Sequence, residues 1–107
     1  MRDQPIHRLC GKGDVPASGV CAVQAPGYEP LAICRVGDSY YLIADTCSHG
    51  QASLSEGEVV LGQVVCPFHG GSFDVTTGQP TDLPCTIPIA TYPLIAVGDD
   101  LYVAGKP

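Results

Sequence analysis

Apolar and polar positions along this chain group into short runs with the period of two that marks strands, and runs with helical period are hard to find. The stretch "LAICRV" (Leu31 to Val36), the turn residues Gly37-Asp38-Ser39 and "YYLIAD" (Tyr40 to Asp45) predict a β-hairpin. Its flanks are β-branched and aromatic, and its turn holds residues that tolerate unusual backbone angles. "PLIAV" (Pro93 to Val97), Gly98-Asp99-Asp100 and "LYVAG" (Leu101 to Gly105) predict a second hairpin of the same style. Between them, "EVVLGQVVC" (Glu58 to Cys66) predicts two short strands around Gly62, and "GVCAV" (Gly19 to Val23) one more near the start.

Composition supports an all-β reading. The 107 residues are enough for one domain with a modest core and too few for two. Thirteen glycines and ten prolines break helix interiors, but suit short strands joined by tight turns. There are no repeats, charge blocks or low-complexity tracts.

Eleven acidic residues against five basic ones give a net charge of −6, which repels nucleic acid and anionic membrane surfaces. A docking partner with a basic patch is the natural expectation; solubility alone is the plainer explanation of the same charge. No apolar run opens the chain in the manner of a secretory signal, and none reaches the length of about 18 residues that a membrane-crossing helix needs. A cytoplasmic location is therefore expected, where the six cysteines serve as ligands or buried thiols and not as disulfides. Cys10, Cys21, Cys34 and Cys85 stand alone in apolar or turn contexts and read as buried structural thiols.

The remaining two cysteines carry the chemistry. "CSHG" places Cys47 two residues before His49, and "CPFHGG" places Cys66 three residues before His69. Each pair follows a predicted strand, on a glycine-bearing loop that a rigid sheet can aim. Residues from about 45 to 86 thus read as a small metal-holding insert on a base made by the flanking segments. Two metal groups accept two cysteines and two histidines: structural zinc, and a two-iron, two-sulfide cluster with histidines on one iron. Zinc fingers with these ligands pair the cysteines in one knuckle and the histidines on a helix, whereas here each loop gives one of each. That division suits the cluster, with Cys47 and Cys66 on one iron and His49 and His69 on the other. Gly50, Gly70 and Gly71 would allow close backbone approach and N–H donation to the sulfides, and Pro67 would stiffen the second loop. A zinc-stabilised binding module stays open as an alternative.

These residues resemble the Rieske iron–sulfur motif. Beyond the ligands, "ASLSEG" (Ala52 to Gly57) and "SFDVTTGQP" (Ser72 to Pro80) are similar to the stand-alone Rieske ferredoxins of bacterial ring-hydroxylating oxygenase systems. The resemblance implies a Rieske fold of antiparallel sheets over residues 1–107, with the cluster-binding subdomain at about 45–86. It also implies one [2Fe–2S] cluster, a monomer and no catalytic residue. The chain would carry single electrons from an NAD(P)H-dependent flavin ferredoxin reductase to a terminal Rieske oxygenase. An accessory small subunit of the nitrite reductase type is the alternative; a catalytic oxygenase subunit needs a second metal domain for which this chain has no room.

Departures from the respiratory and photosynthetic members carry a further implication. Where those proteins join the ligand loops by a disulfide, this chain has Ala52 and Phe68. Where they place a serine and a tyrosine whose hydroxyls bond to the cluster and a ligand sulfur, it has Gly71 and Phe73. Hydrogen bonds to sulfur stabilise the added negative charge of the reduced form, so their loss implies a potential near the low end of the range of about −150 to +300 mV. Apolar cover is expected from Leu54, Phe68 and Phe73. "DLPCTIP" (Asp82 to Pro88) matches the family's proline-bearing third loop, with Leu83 and Pro84 over the cluster.

Overall fold

The computed structural model describes residues 6–48, 52–68, 70–83 and 85–104, and these form eleven strands in three antiparallel sheets. In chain order the strands are β1 (Ile6–Gly11), β2 (Val20–Val23), β3 (Leu31–Val36), β4 (Ser39–Ala44), β5 (Glu58–Val60), β6 (Gln63–Val65), β7 (Ser72–Asp74), β8 (Pro80–Asp82), β9 (Thr91–Tyr92), β10 (Ile95–Val97) and β11 (Asp100–Ala104). Short 3-10 turns at Lys12–Asp14 and Leu54–Glu56 are the only helical pieces among the described residues. None of them is long and apolar enough to cross a membrane. The fold is thus all-β, as the turn-rich composition implies.

Both predicted hairpins form. β3 pairs with β4 across Gly37-Asp38, with Val36 opposite Ser39, and β10 pairs with β11 across Gly98-Asp99, with Val97 opposite Asp100. The second begins at Ile95 and not at Pro93, since proline has no N–H for the ladder. β5 and β6 also form, joined by Leu61-Gly62 with both residues at positive φ, the geometry of a tight two-residue hairpin turn.

The sheets are ordered β1-β11-β10, β2-β3-β4-β9 and β5-β6-β7-β8. The middle sheet is buried on both faces at its centre, along β3. Along β3, Leu31 and Ile33 enter one core, with Leu42, Leu101 and Val103; Ala32 and Cys34 enter another, with Ile43, Leu54, Val64, Phe73 and Val75. Alternate side chains point to opposite faces of a strand, so the unbroken apolar run of β3 reflects cover on both faces. The second of these cores also contains Cys47 and Cys66. The cysteine loops are therefore founded on the same apolar mass that supports the middle sheet.

Candidate metal centre

The backbone closes both cysteine loops in the same way. The first leaves β4 through Asp45 and Thr46, and the Cys47 amide donates to the carbonyl of Ala52 at 2.9 Å, five residues on. Thr46 and Ser53 bridge beside that bond. The second leaves β6, and the Cys66 amide donates to the carbonyl of Gly71 at 2.6 Å, again five residues on. Each cysteine pins the mouth of its loop with its own main chain, and each is only 2% exposed.

Local contacts hold this arrangement. The buried Asp45 carboxylate accepts the Ser55 amide at 2.7 Å and the Ser55 hydroxyl at 3.1 Å. The Asp45 carbonyl accepts the Leu54 amide at 2.6 Å. Together these bonds fix the 3-10 turn that drives Leu54 into the core beneath the first loop. On the second loop the Gly70 amide donates to the Cys66 carbonyl at 3.1 Å. That bond engages the Gly70 N–H expected to face a sulfide.

A third thiol stands at the site. Cys85 lies 3.8 Å from Cys47, sulfur to sulfur, and is buried. Burial chiefly, with Cys47 and then Cys66 adding to it, pushes the Cys85 thiol up to about 12. Opposite it, a Cβ on Gly71 would fall 2.5 Å from the Cys85 sulfur, so the glycine serves as a notch for that thiol. Sequence reasoning took Cys85 correctly as buried but wrongly as isolated. Nothing in its neighbourhood along the chain announces Cys47, since the contact spans 38 positions. It also missed Asp45 and Ser55, for which an acid ending an apolar strand just before the cysteine was the available signal.

The other cysteines behave largely as expected. Cys10 and Cys34 are buried, and burial pushes them up to about 11 and about 12 respectively; Cys21 is only half-buried. No disulfide joins any of the six. Of the expected apolar cover, Leu54 and Phe73 are fully buried, whereas Phe68 is 69% and Leu83 78% exposed. With the exposed Ile87, those two present apolar surface on the second and third loops. The Ser48 hydroxyl donates to the Ile87 carbonyl and ties the first loop to the third.

His49, His69, Gly50 and Pro84 lie outside the described residues. Among the described residues no group of three or more His, Cys, Asp or Glu side chains is gathered around a metal position. Two buried, sheet-anchored thiols facing one apolar core nonetheless fit an iron–sulfur group, which needs soft sulfur donors kept from water.

The model of the Rieske [2Fe-2S] domain matches residues 6–93. The chain belongs to the Rieske family. It is 42% identical over 99 residues to the ferredoxin CarAc of Metapseudomonas resinovorans, covering 92% of both chains. It is 43% identical over 82 residues to the anthranilate 1,2-dioxygenase ferredoxin subunit of Burkholderia cepacia, covering 77% of this chain and 76% of that one. Among solved structures, it superimposes on a chain from the complex of reduced oxygenase and oxidized ferredoxin in carbazole 1,9a-dioxygenase with a TM-score of 0.84. The identity there is 41%, over 97% of this chain and 96% of that one. This Rieske protein carries one [2Fe–2S] cluster and is an electron-carrying ferredoxin of the kind found in ring-hydroxylating dioxygenase systems, not a catalytic oxygenase. The zinc-stabilised module is set aside.

Proposed function

We propose that Cys47 and Cys66 hold one iron of the cluster and His49 and His69 the other, within a cluster-binding subdomain of about residues 45–86. The observation that carries this reading is the paired closure of the two loops, each by the amide of a buried cysteine. When bound, the cluster supplies one reversible electron at a potential low in the Rieske range. Cys47 and Cys66 keep their sulfurs inside the apolar core, and the main-chain pinch fixes where those sulfurs stand. Phe68, Leu83 and Ile87 exclude water around the loops when a partner covers them.

The electrons come from an NAD(P)H-dependent flavin ferredoxin reductase and go to a terminal Rieske oxygenase. The protein works as a cytoplasmic monomer. Its charge supports a basic partner: a cleft of about 400 Å³ beside Cys66, Pro67 and Gly70 is flanked by the exposed carboxylates of Glu56 and Glu58. A lysine or arginine side chain fits such a cleft by charge and by reach.

Reconstitution tests the proposal. Purified protein should restore electron flow between a reductase and an oxygenase, and should show the electron-paramagnetic signature of a histidine-ligated cluster. Cys47→Ser and Cys66→Ser should lose the cluster, and His49→Ala and His69→Ala should lose or alter it. An unaltered cluster in any one of the four variants refutes the ligand set, and failure with every reductase–oxygenase pair refutes the carrier role.

A further inference from the structure

We infer that Cys85 tunes the site by donating an S–H···S hydrogen bond to the sulfur of Cys47. The inference rests on the reading above in which Cys47 is an iron ligand.

Geometry sets the pair. The two sulfurs are 3.8 Å apart, within hydrogen-bonding distance for sulfur, and either could donate were both protonated. Iron ligation removes that ambiguity, because a cysteine binds iron as thiolate and has no proton to give. Only Cys85 can then donate, and Cys47 can only accept.

The surroundings hold the donor in place. The Cys85 amide donates to the Asp82 carbonyl at 3.1 Å, which fixes the main chain beneath the thiol. On the opposite side the sulfur sits in the notch left by Gly71, where any side chain would collide with it. The thiol is buried, so water does not compete for the bond. Gly71 is also the position at which the respiratory relatives carry a hydroxyl donor. This chain lacks that hydroxyl, and Cys85 brings a sulfur donor into the space from the third loop.

The consequence is electrostatic. Added charge on the reduced site falls partly on the ligand sulfurs, and a donor aimed at one of them favours the reduced form. A thiol is a weaker donor than a hydroxyl, so Cys85 should offset only part of the missing stabilisation. Cys85 acts through Cys47 and is a positioning and tuning residue, not a ligand.

The test compares loaded wild type with Cys85→Ala and Cys85→Ser by protein-film voltammetry. Cys85→Ala should shift the midpoint potential downward, and Cys85→Ser should lie closer to wild type than alanine does, since the hydroxyl restores a donor. A purely packing role would move both variants alike. Equal shifts in the two, or no shift in alanine, overturn the inference. Should the alanine variant not take up the cluster, pulsed electron paramagnetic resonance of wild type and Cys85→Ser in H₂O and D₂O decides. An exchangeable-proton coupling that changes between thiol and hydroxyl supports the bond, and identical spectra overturn it. Cys47→Ala separates the two readings: if it keeps an unaltered cluster, the ligand assignment itself fails. If it loses the cluster while Cys85→Ala is silent, only the tuning role fails.

Discussion

Gly71 and Cys85 exclude any larger residue at position 71, because a Cβ there would lie 2.5 Å from the Cys85 sulfur, 3.1 Å from the Cys85 nitrogen and 3.2 Å from the Asp82 carbonyl oxygen. The respiratory-type serine therefore cannot simply be restored. Gly71→Ser should cost about 1–3 kcal/mol of stability by overpacking, read from denaturant unfolding. The double variant Gly71→Ser with Cys85→Ala should recover part of that loss, since the tightest clash disappears. A double variant no more stable than Gly71→Ser alone contradicts the notch.

Phe73→Tyr is the cleaner probe of the missing tyrosine. Phe73 is fully buried in the core that contains Cys47 and Cys66, so a hydroxyl there must find an acceptor in that core. We expect the midpoint potential to rise, as voltammetry would show. An unchanged or lower potential refutes the expectation that a missing hydroxyl-to-sulfur bond lowers the potential of this site. Phe73→Ala should instead destabilise the fold by about 3–5 kcal/mol.

Asp45→Ala removes the acceptor of the Ser55 amide and hydroxyl beneath the first loop. Leaving such a donor unpaired costs about 1–3 kcal/mol. The loosened loop should also release its cluster faster, followed as the decay of visible absorbance in the presence of a chelator. A decay rate equal to wild type argues against Asp45 as the brace of that loop.

Alkaline stability depends on Tyr92. Its hydroxyl donates to the Glu29 carboxylate, and this bond first, then burial and the charge of Glu29, push its pKa from an ordinary value near 10 up to about 12. The folded state therefore holds the proton more tightly than the unfolded one. The contribution is complete below about pH 10 and is lost as pH rises from about 10 to about 12. Tyr92→Phe should lower stability at neutral pH and flatten the decline across that interval. An unaltered slope refutes the linkage.

The sequence made some elements legible and hid others for physical reasons. β3 with β4, and β10 with β11, were readable because each hairpin joins apolar runs through a turn of Gly and Asp. β1 was invisible. Its residues are mostly exposed or half-buried, with only Cys10 buried, so it carries little alternation and owes its form to pairing with β11. β7, β8 and β9 have two or three residues each, too few to establish a period. The burial of Cys47 and Cys66 was legible, and of the three residues expected as apolar cover Leu54 and Phe73 are buried while Phe68 is exposed. Cys85 beside Cys47 was not, because only the folded third loop brings them together.

The pinch at Cys47 and Cys66 has a mechanical consequence. Because each cysteine's main chain is clamped at its loop's mouth, the backbone that carries the sulfur should shift little with a change of charge. A site that keeps one shape in both oxidation states loses little energy to rearrangement at each transfer. Turnover should then be governed by how long two molecules stay in contact, and viscosity and salt should slow it more than cooling does.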